Sequence, residues 1–138
     1  MLVTGTPPRT AALATALYVL WGVLHLGLGT TMAAVELSDG LPTGEEAAES
    51  LMFFVCASVL GAQAIAIALV LNRVNSPLGY WLNLLVLGAV DAAFLVVVVL
   101  PGHVDLIGGL SGPAIWLLAA IASTIALRRA PTEATSTA

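Results

Sequence analysis

Charge is scarce in this chain of 138 residues, of which only 9% are Asp, Glu, Lys or Arg. Lysine is absent, and four arginines face eight acidic residues, which gives a net charge of −4. Soluble domains carry about a quarter charged residues, and nucleic-acid-binding surfaces need many cations. The composition therefore excludes an ordinary soluble domain and argues against a nucleic-acid partner.

Cysteine and catalytic motifs are equally scarce. Cys56 is the single cysteine, so an intramolecular disulfide is impossible. The chain has no Walker loop, no GxSxG elbow, no HExxH and no CxxC, so nothing favours nucleotide hydrolysis or covalent catalysis. The sequence leaves open whether the chain is an enzyme, and it indicates no cofactor.

Apolar residues, in contrast, are abundant: they form 59% of the chain, whose mean hydropathy is +1.04. A helix needs about 20 mainly apolar residues to cross a lipid bilayer. Four segments meet or nearly meet this length: residues 10–35, 50–71, 80–100 and 107–127. We therefore predict an all-α, integral membrane, four-helix up-down bundle that forms a single domain over residues 1–129. The polar residues 130–138 are predicted to be a disordered tail.

The basic residues predict the orientation of this bundle. Arg9 precedes the first span, Arg73 separates the second span from the third, and Arg128 and Arg129 follow the fourth. All four lie on one side, which the positive-inside rule makes cytoplasmic, so both termini are expected in the cytoplasm. The acidic loop 36–49 then faces outward. The lack of lysine beside abundant Ala, Val and Leu is typical of a GC-rich bacterial genome, which favours the bacterial inner membrane.

Two ionisable residues lie within the predicted spans. Asp91 is about 16 Å and His25 about 22 Å from the cytoplasmic ends of their helices, so their depths differ by about one turn. Ionisable groups are costly in lipid and usually functional or paired, so we predict that these two share a proton, form an ion pair or orient a ligand. The alternative is that they are polar links that fix the helix register. Gln63 and Trp116 are further candidates for the ligand-binding surface.

Glycines accompany these polar residues. Gly22 and Gly29 share a face of span one with the histidine and would let a second helix approach closely. Gly108 and Gly112 form a GxxxG pair before Pro113, and proline suits the first turn of a helix. The regular fourth helix is therefore predicted to begin near Pro113, which would leave the glycine segment irregular at membrane depth. Such a segment either packs tightly against protein or lines a wet cavity.

A third group of polar residues lies near the outward ends of the spans: His103, Asp105 and Glu36. We place them at the mouth of a polar pocket that opens outward between spans one, three and four. Histidine and carboxylate groups are ligands for zinc or iron, but the spacing here matches no metal-binding motif. No metal site is therefore predicted, and these residues are interpreted as parts of surface loops.

The four-span layout, the segment from Gly22 to His25 and the Pro101-Gly102 turn resemble the small bacterial membrane proteins grouped as DoxX-like. The resemblance covers the whole chain. It implies an association with membrane components of quinone-linked oxidoreductases, and it identifies no catalytic residue.

Together these observations predict a binding function. The pocket is expected to hold a small apolar or amphipathic ligand, or a partner membrane subunit, with His25 and Asp91 at its polar side. One alternative is a component of a quinone-linked membrane oxidoreductase, in which the same two residues would bind the quinone and manage protons. A second alternative is a proton-coupled transporter, which with only four spans would act as a homodimer through Gly108 and Gly112.

Overall fold

The structure, a computed structural model, describes residues 9–129. The regular structure of these residues is entirely helical, which confirms the all-α prediction, and four helices are long and apolar enough to cross a membrane. We number them α1 (Arg9–Glu36), α2 (Glu45–Val70), α3 (Pro77–Val99) and α4 (Leu106–Arg128). A short 3-10 turn, Asn72–Val74, follows α2. The tail predicted at residues 130–138 lies outside the described residues.

Consecutive helices are antiparallel neighbours in the bundle. α1 packs along α2 and α4, and α3 also packs between α2 and α4, while the backbones of α1 and α3 approach each other little. α1 and α3 are therefore diagonal partners. The two ends of the bundle differ in charge: the four arginines lie at one end, here called the basic end, and loops 37–44 and 100–105 lie at the opposite, acidic end.

A close backbone contact joins α1 to α2. A Cβ atom added to Gly22 would lie 2.6 Å from the carbonyl oxygen of Gly61, and one added to Gly61 would lie 2.5 Å from the backbone nitrogen of Leu26. Gly29 is similarly confined, since its added Cβ would lie 2.6 Å from the carbonyl oxygen of Phe54. Small residues at helix interfaces allow such an approach, and a side chain at any of these positions would force the two helices apart.

The core lies between the middle of the bundle and its basic end. Its members are two aromatic residues of α1 and smaller side chains of the other helices: Tyr18, Trp21, Ala64, Ala68, Leu87 and Ala119. Polar links cross the same region. The hydroxyl oxygens of Tyr18 and Ser123 are 3.4 Å apart, and Asn83 donates a hydrogen bond to the side-chain oxygen of Asn72 at 2.9 Å. These links tie α1 to α4 and α3 to the loop after α2.

α3 contains two π-helical segments. Asn83–Leu87 and Leu95–Val99 are π-helical, with α-helical turns before and between them. In an α-helix, positions four residues apart drift around the axis by about 40° per step, and a wider π turn cancels part of that drift. The buried residues of α3 therefore recur at intervals of four or eight: Gly79, Asn83, Leu87, Asp91 and Val99. This alignment keeps Asp91 on the interior face.

α4 begins earlier than predicted. It starts at Leu106, and Pro113 lies inside it, so the prediction of an irregular glycine segment was wrong. Asp105 caps the helix by accepting a hydrogen bond from the backbone N–H of Gly108 at 2.8 Å, which supplies a start seven residues before the proline. A proline ring crowds the carbonyl group four residues earlier, and the residue at that position is Gly109. The glycine segment is thus the first part of a continuous helix.

Candidate functional site

A cavity of about 430 Å³ lies between α1, α2 and α3 in the half of the bundle nearest the acidic end. Its walls are mainly apolar and include Leu28, Phe53, Phe54, Leu60, Phe94 and Val97. Phe53 of α2 is 51% exposed and Val97 of α3 is 64% exposed, so the cavity opens sideways between these two helices. Small-molecule sites have volumes of about 300 to 1,000 Å³ and mainly apolar walls with a few polar groups. The cavity has both properties.

The cavity differs from the predicted pocket in its position and in the polarity of its walls. We expected a polar pocket between spans one, three and four, whereas α2 provides the third wall and the walls are mainly apolar. α4 does not line the cavity. It packs tightly against α1 and α3 on the side of these two helices that is opposite to α2. A Cβ atom added to Gly88 of α3 would lie 2.5 Å from the ring of Trp116, and Gly112 is in contact with His25.

Asp91 provides the acidic group of the cavity. Its side chain is 2% exposed and lies on the α-helical turns between the two π segments of α3. The Oδ2 atom accepts a hydrogen bond from the indole N–H of Trp21 at 3.0 Å. This bond crosses the bundle diagonal, because Trp21 belongs to α1, and it partly compensates the carboxyl group for lost hydration.

His25 lies one turn further along α1 and stacks on the same indole. The two ring centroids are 3.6 Å apart, with an angle of 18° between the ring planes. Its Nδ1 atom lies 2.9 Å from the carbonyl oxygen of Trp21. A carbonyl oxygen only accepts, so this contact requires the proton on Nδ1 and leaves the lone pair of the neutral ring on Nε2. Trp21 therefore sets the orientation of both ionisable groups.

Gly112 of α4 lies where these two groups converge. A Cβ atom added to this glycine would lie 3.2 Å from His25 Nε2 and 3.7 Å from Asp91 Oδ1. Within residues 9–129, no hydrogen bond or ion pair joins His25 directly to Asp91. The predicted pairing of the two residues is thus indirect: they share Trp21, and their free acceptor atoms lie near one point.

We expect the substitution Gly112→Ala to displace His25. The added methyl carbon would lie 2.9 Å from His25 Cε1, and the histidine ring is held by stacking and by its Nδ1 hydrogen bond. The measurement is the ring resonance of ¹³C-labelled histidine by NMR. The chain has two histidines, and the exposed His103 is the internal control. A shift of the His25 signal with an unchanged His103 signal is expected; two unchanged signals would contradict the described contact.

The other predicted ligand-binding residues lie outside the cavity wall. Gln63 is half-buried on α2. The ring of Trp116 packs across Gly88, and its buried indole N–H has no hydrogen-bond partner within the described part of the chain. Neither residue lines the cavity or has a hydrogen bond to Asp91 within residues 9–129. Trp21 and Cys56, which do line the cavity, were not predicted as site residues, although Trp21 precedes His25 by one helical turn and so shares its face.

The residues predicted at the outer mouth have separate local roles. Glu36 accepts a hydrogen bond from the Ser50 hydroxyl at 2.8 Å and so links α1 to α2, while Asp105 caps α4. His103 is exposed in the loop before it. An added Cβ at Gly108 would meet the Asp105 carboxylate, so this glycine makes room for the helix cap. Among residues 9–129, no group of three or more His, Cys, Asp or Glu side chains could hold a metal ion.

Comparisons with known proteins provide no further assignment of this site. No protein-family model, curated protein or solved structure matches the chain. The candidate site therefore rests on its own geometry: an apolar cavity with Trp21, His25 and Asp91 at one wall.

Proposed function

We propose that the chain is a multi-pass protein of the bacterial inner membrane with both termini in the cytoplasm. The outer surface of the helices supports this proposal, because large apolar side chains such as Val59, Leu85 and Leu117 are at least half exposed. Between the charged ends, Asp91 is the only Asp, Glu, Lys or Arg residue of residues 9–129, and it is buried. A surface of this kind suits lipid, and the arginines at one end favour the cytoplasmic side for that end.

The orientation predicts opposite results for two reporter fusions. Alkaline phosphatase fused after Ala138 should be inactive and a fluorescent protein at the same position should fluoresce, because the basic end stays in the cytoplasm. The control is the same pair of reporters fused after Gly40, in the loop at the acidic end, where phosphatase activity is expected. Active phosphatase after Ala138 would overturn the orientation.

Within the membrane, the protein binds a small apolar or amphipathic molecule. The observation that carries this proposal is the cavity of about 430 Å³ with apolar walls and three polar side chains at one side. Its opening between α2 and α3 is on the apolar outer surface, so a ligand would reach it from the lipid phase. Trp21, His25 and Asp91 are the residues that would orient the bound molecule.

Native mass spectrometry of the protein purified in a mild detergent tests this function. The expected spectrum contains the chain mass plus a stoichiometric small molecule that leaves on denaturation and is reduced in Asp91→Leu. The control is Leu85→Ala, a substitution on the exposed outer surface of α3. A spectrum of the natural protein that contains only the mass of the chain would contradict the proposal. A bound partner subunit in place of a small molecule would contradict it as well.

A further inference from the structure

Building on the proposed ligand-binding function, we infer that the ligand is an amphipathic amine whose protonated nitrogen donates hydrogen bonds to both Asp91 Oδ1 and His25 Nε2. Its apolar body lies in the cavity between α1, α2 and α3. Three observations lead to this class of ligand: the donor and acceptor roles at the polar wall, the charge distribution of the chain, and the aromatic lining.

With the Asp91 carboxyl group ionised, the polar wall offers hydrogen-bond acceptors and no free donor. The indole N–H of Trp21 is used by Asp91 Oδ2, and the Nδ1 proton of His25 is used by the Trp21 carbonyl oxygen. Asp91 Oδ1 and the Nε2 atom of the neutral histidine accept no hydrogen bond within the described chain, and both side chains line the cavity. The ligand must therefore donate.

The number of hydrogen-bond donors distinguishes the possible head groups of the ligand. A primary or secondary ammonium group has two or more N–H donors and can satisfy both acceptors, whereas an alcohol has one. A ketone or quinone carbonyl has no donor, and a carboxylate would be repelled by Asp91. The geometry thus favours an amine over the quinone that the alternative function requires.

The charges and aromatic rings agree with a cationic head group. The four arginines all lie at the basic end, and within residues 9–129 Asp91 has no Lys or Arg within ion-pair distance. A bound ammonium ion would supply the missing positive charge. Phe53, Phe54 and Phe94 line the cavity together with Trp21, and aromatic faces attract cations as well as apolar groups.

The single cysteine allows a binding test with the natural chain. Cys56 is exposed and lines the cavity, so an occupant should slow its alkylation by N-ethylmaleimide. The probes are 4-phenylbutylamine and 4-phenylbutan-1-ol, which share one apolar body. The amine is expected to protect Cys56 at about a tenth of the concentration needed for the alcohol, because it adds a charge-assisted hydrogen bond. The trimethylammonium analogue, which has the charge but no N–H donor, should protect less than the amine.

The variant Asp91→Asn tests whether the carboxylate causes the preference for the amine over the alcohol. The substitution keeps the side-chain shape and a carbonyl oxygen for the Trp21 bond, and it should raise the protective concentration of the amine about tenfold. Protection by the alcohol should change less than about threefold. Asp39→Asn, which removes the same charge from the exposed loop at the acidic end, should leave both probes unaffected.

The outcomes separate this inference from the proposed function. Equal protection by the amine and the alcohol in the natural chain, or an unchanged amine effect in Asp91→Asn, would overturn the amine assignment and leave a ligand-binding cavity. Failure of every probe to protect Cys56 would overturn the ligand-binding function as well. If Asp91→Asn does not fold, the comparison of amine, alcohol and trimethylammonium analogue in the natural chain decides the assignment.

Discussion

Trp21→Ala should lower the free energy of unfolding by about 3 kcal/mol, the largest loss that we expect from a single core side chain. Trp21 is fully buried, and its ring packs in the core, stacks on His25 and donates to Asp91. The expected loss of stability is at the lower end of the range for removal of a buried tryptophan. The reason is that side chains of helices that separate within lipid remain in apolar surroundings. Unfolding in mixed micelles with increasing SDS, followed by circular dichroism, is the measurement.

Two further variants separate the packing of Trp21 from its hydrogen bond. Trp21→Phe keeps most of the ring volume and removes the N–H donor, so it should cost about 2 kcal/mol, the penalty for an unpaired buried carboxyl oxygen. Trp81→Ala is the matched control, because this tryptophan is 53% exposed and its loss should change stability by less than about 0.5 kcal/mol. Equal losses in Trp21→Ala and Trp81→Ala would show that Trp21 does not hold α1 to α3.

The four helices could be predicted from the sequence because four segments have the length and hydropathy that a helix needs to cross a bilayer. The predicted spans mark the apolar segments, and the helices extend beyond them. α2 begins at Glu45, five residues before the predicted span, because a helix can continue from an apolar segment into charged residues. Acidic side chains in a first turn interact favourably with the positive end of the helix dipole, and Glu45 and Glu46 occupy that turn.

The neighbours of each helix could not be predicted in this way. His25 and Asp91 have similar depths, which placed them correctly near one another, but depth does not determine which helices are diagonal. The bond from Trp21 to Asp91 depends on that diagonal arrangement. It also depends on the π segments of α3, whose wider turns cannot be read from a 3.6-residue period. The role of Trp21 as the link between His25 and Asp91 could therefore not be predicted from the sequence.

The start of α4 could not be predicted for a different reason. Pro113 is a strong local signal for a helix start, yet the cap at Asp105 lies farther back and the intervening glycines continue the helix. Local signals compete, and the capping bond together with packing against α1 and α3 decides the outcome. The consequence for the site is direct, since a helical Gly112 brings the α4 backbone against His25 and removes α4 from the cavity wall.

Gly61→Val should lower the free energy of unfolding by about 3 kcal/mol by forcing α2 away from α1. The Cβ atom alone would lie 2.5 Å from the Leu26 nitrogen and 2.6 Å from the Gly22 carbonyl oxygen, and backbone atoms cannot move aside as a flexible side chain can. The matched control is Gly27→Val on α1, where an added Cβ meets no atom within 4 Å. Both variants make the same change in a helix interior, so the difference in SDS unfolding isolates the helix contact.

The same pair of variants tests whether the cavity depends on the α1 to α2 distance. Leu60 lies beside Gly61 and lines the cavity, and Cys56 lies little more than one turn away. Displacement of α2 would widen the opening toward α3, so alkylation of Cys56 should be faster in Gly61→Val and protection by 4-phenylbutylamine weaker. Gly27→Val should leave both properties unchanged. Unchanged amine protection in Gly61→Val would mean that α2 is not a wall of the site, since a displaced wall cannot hold the same ligand equally well.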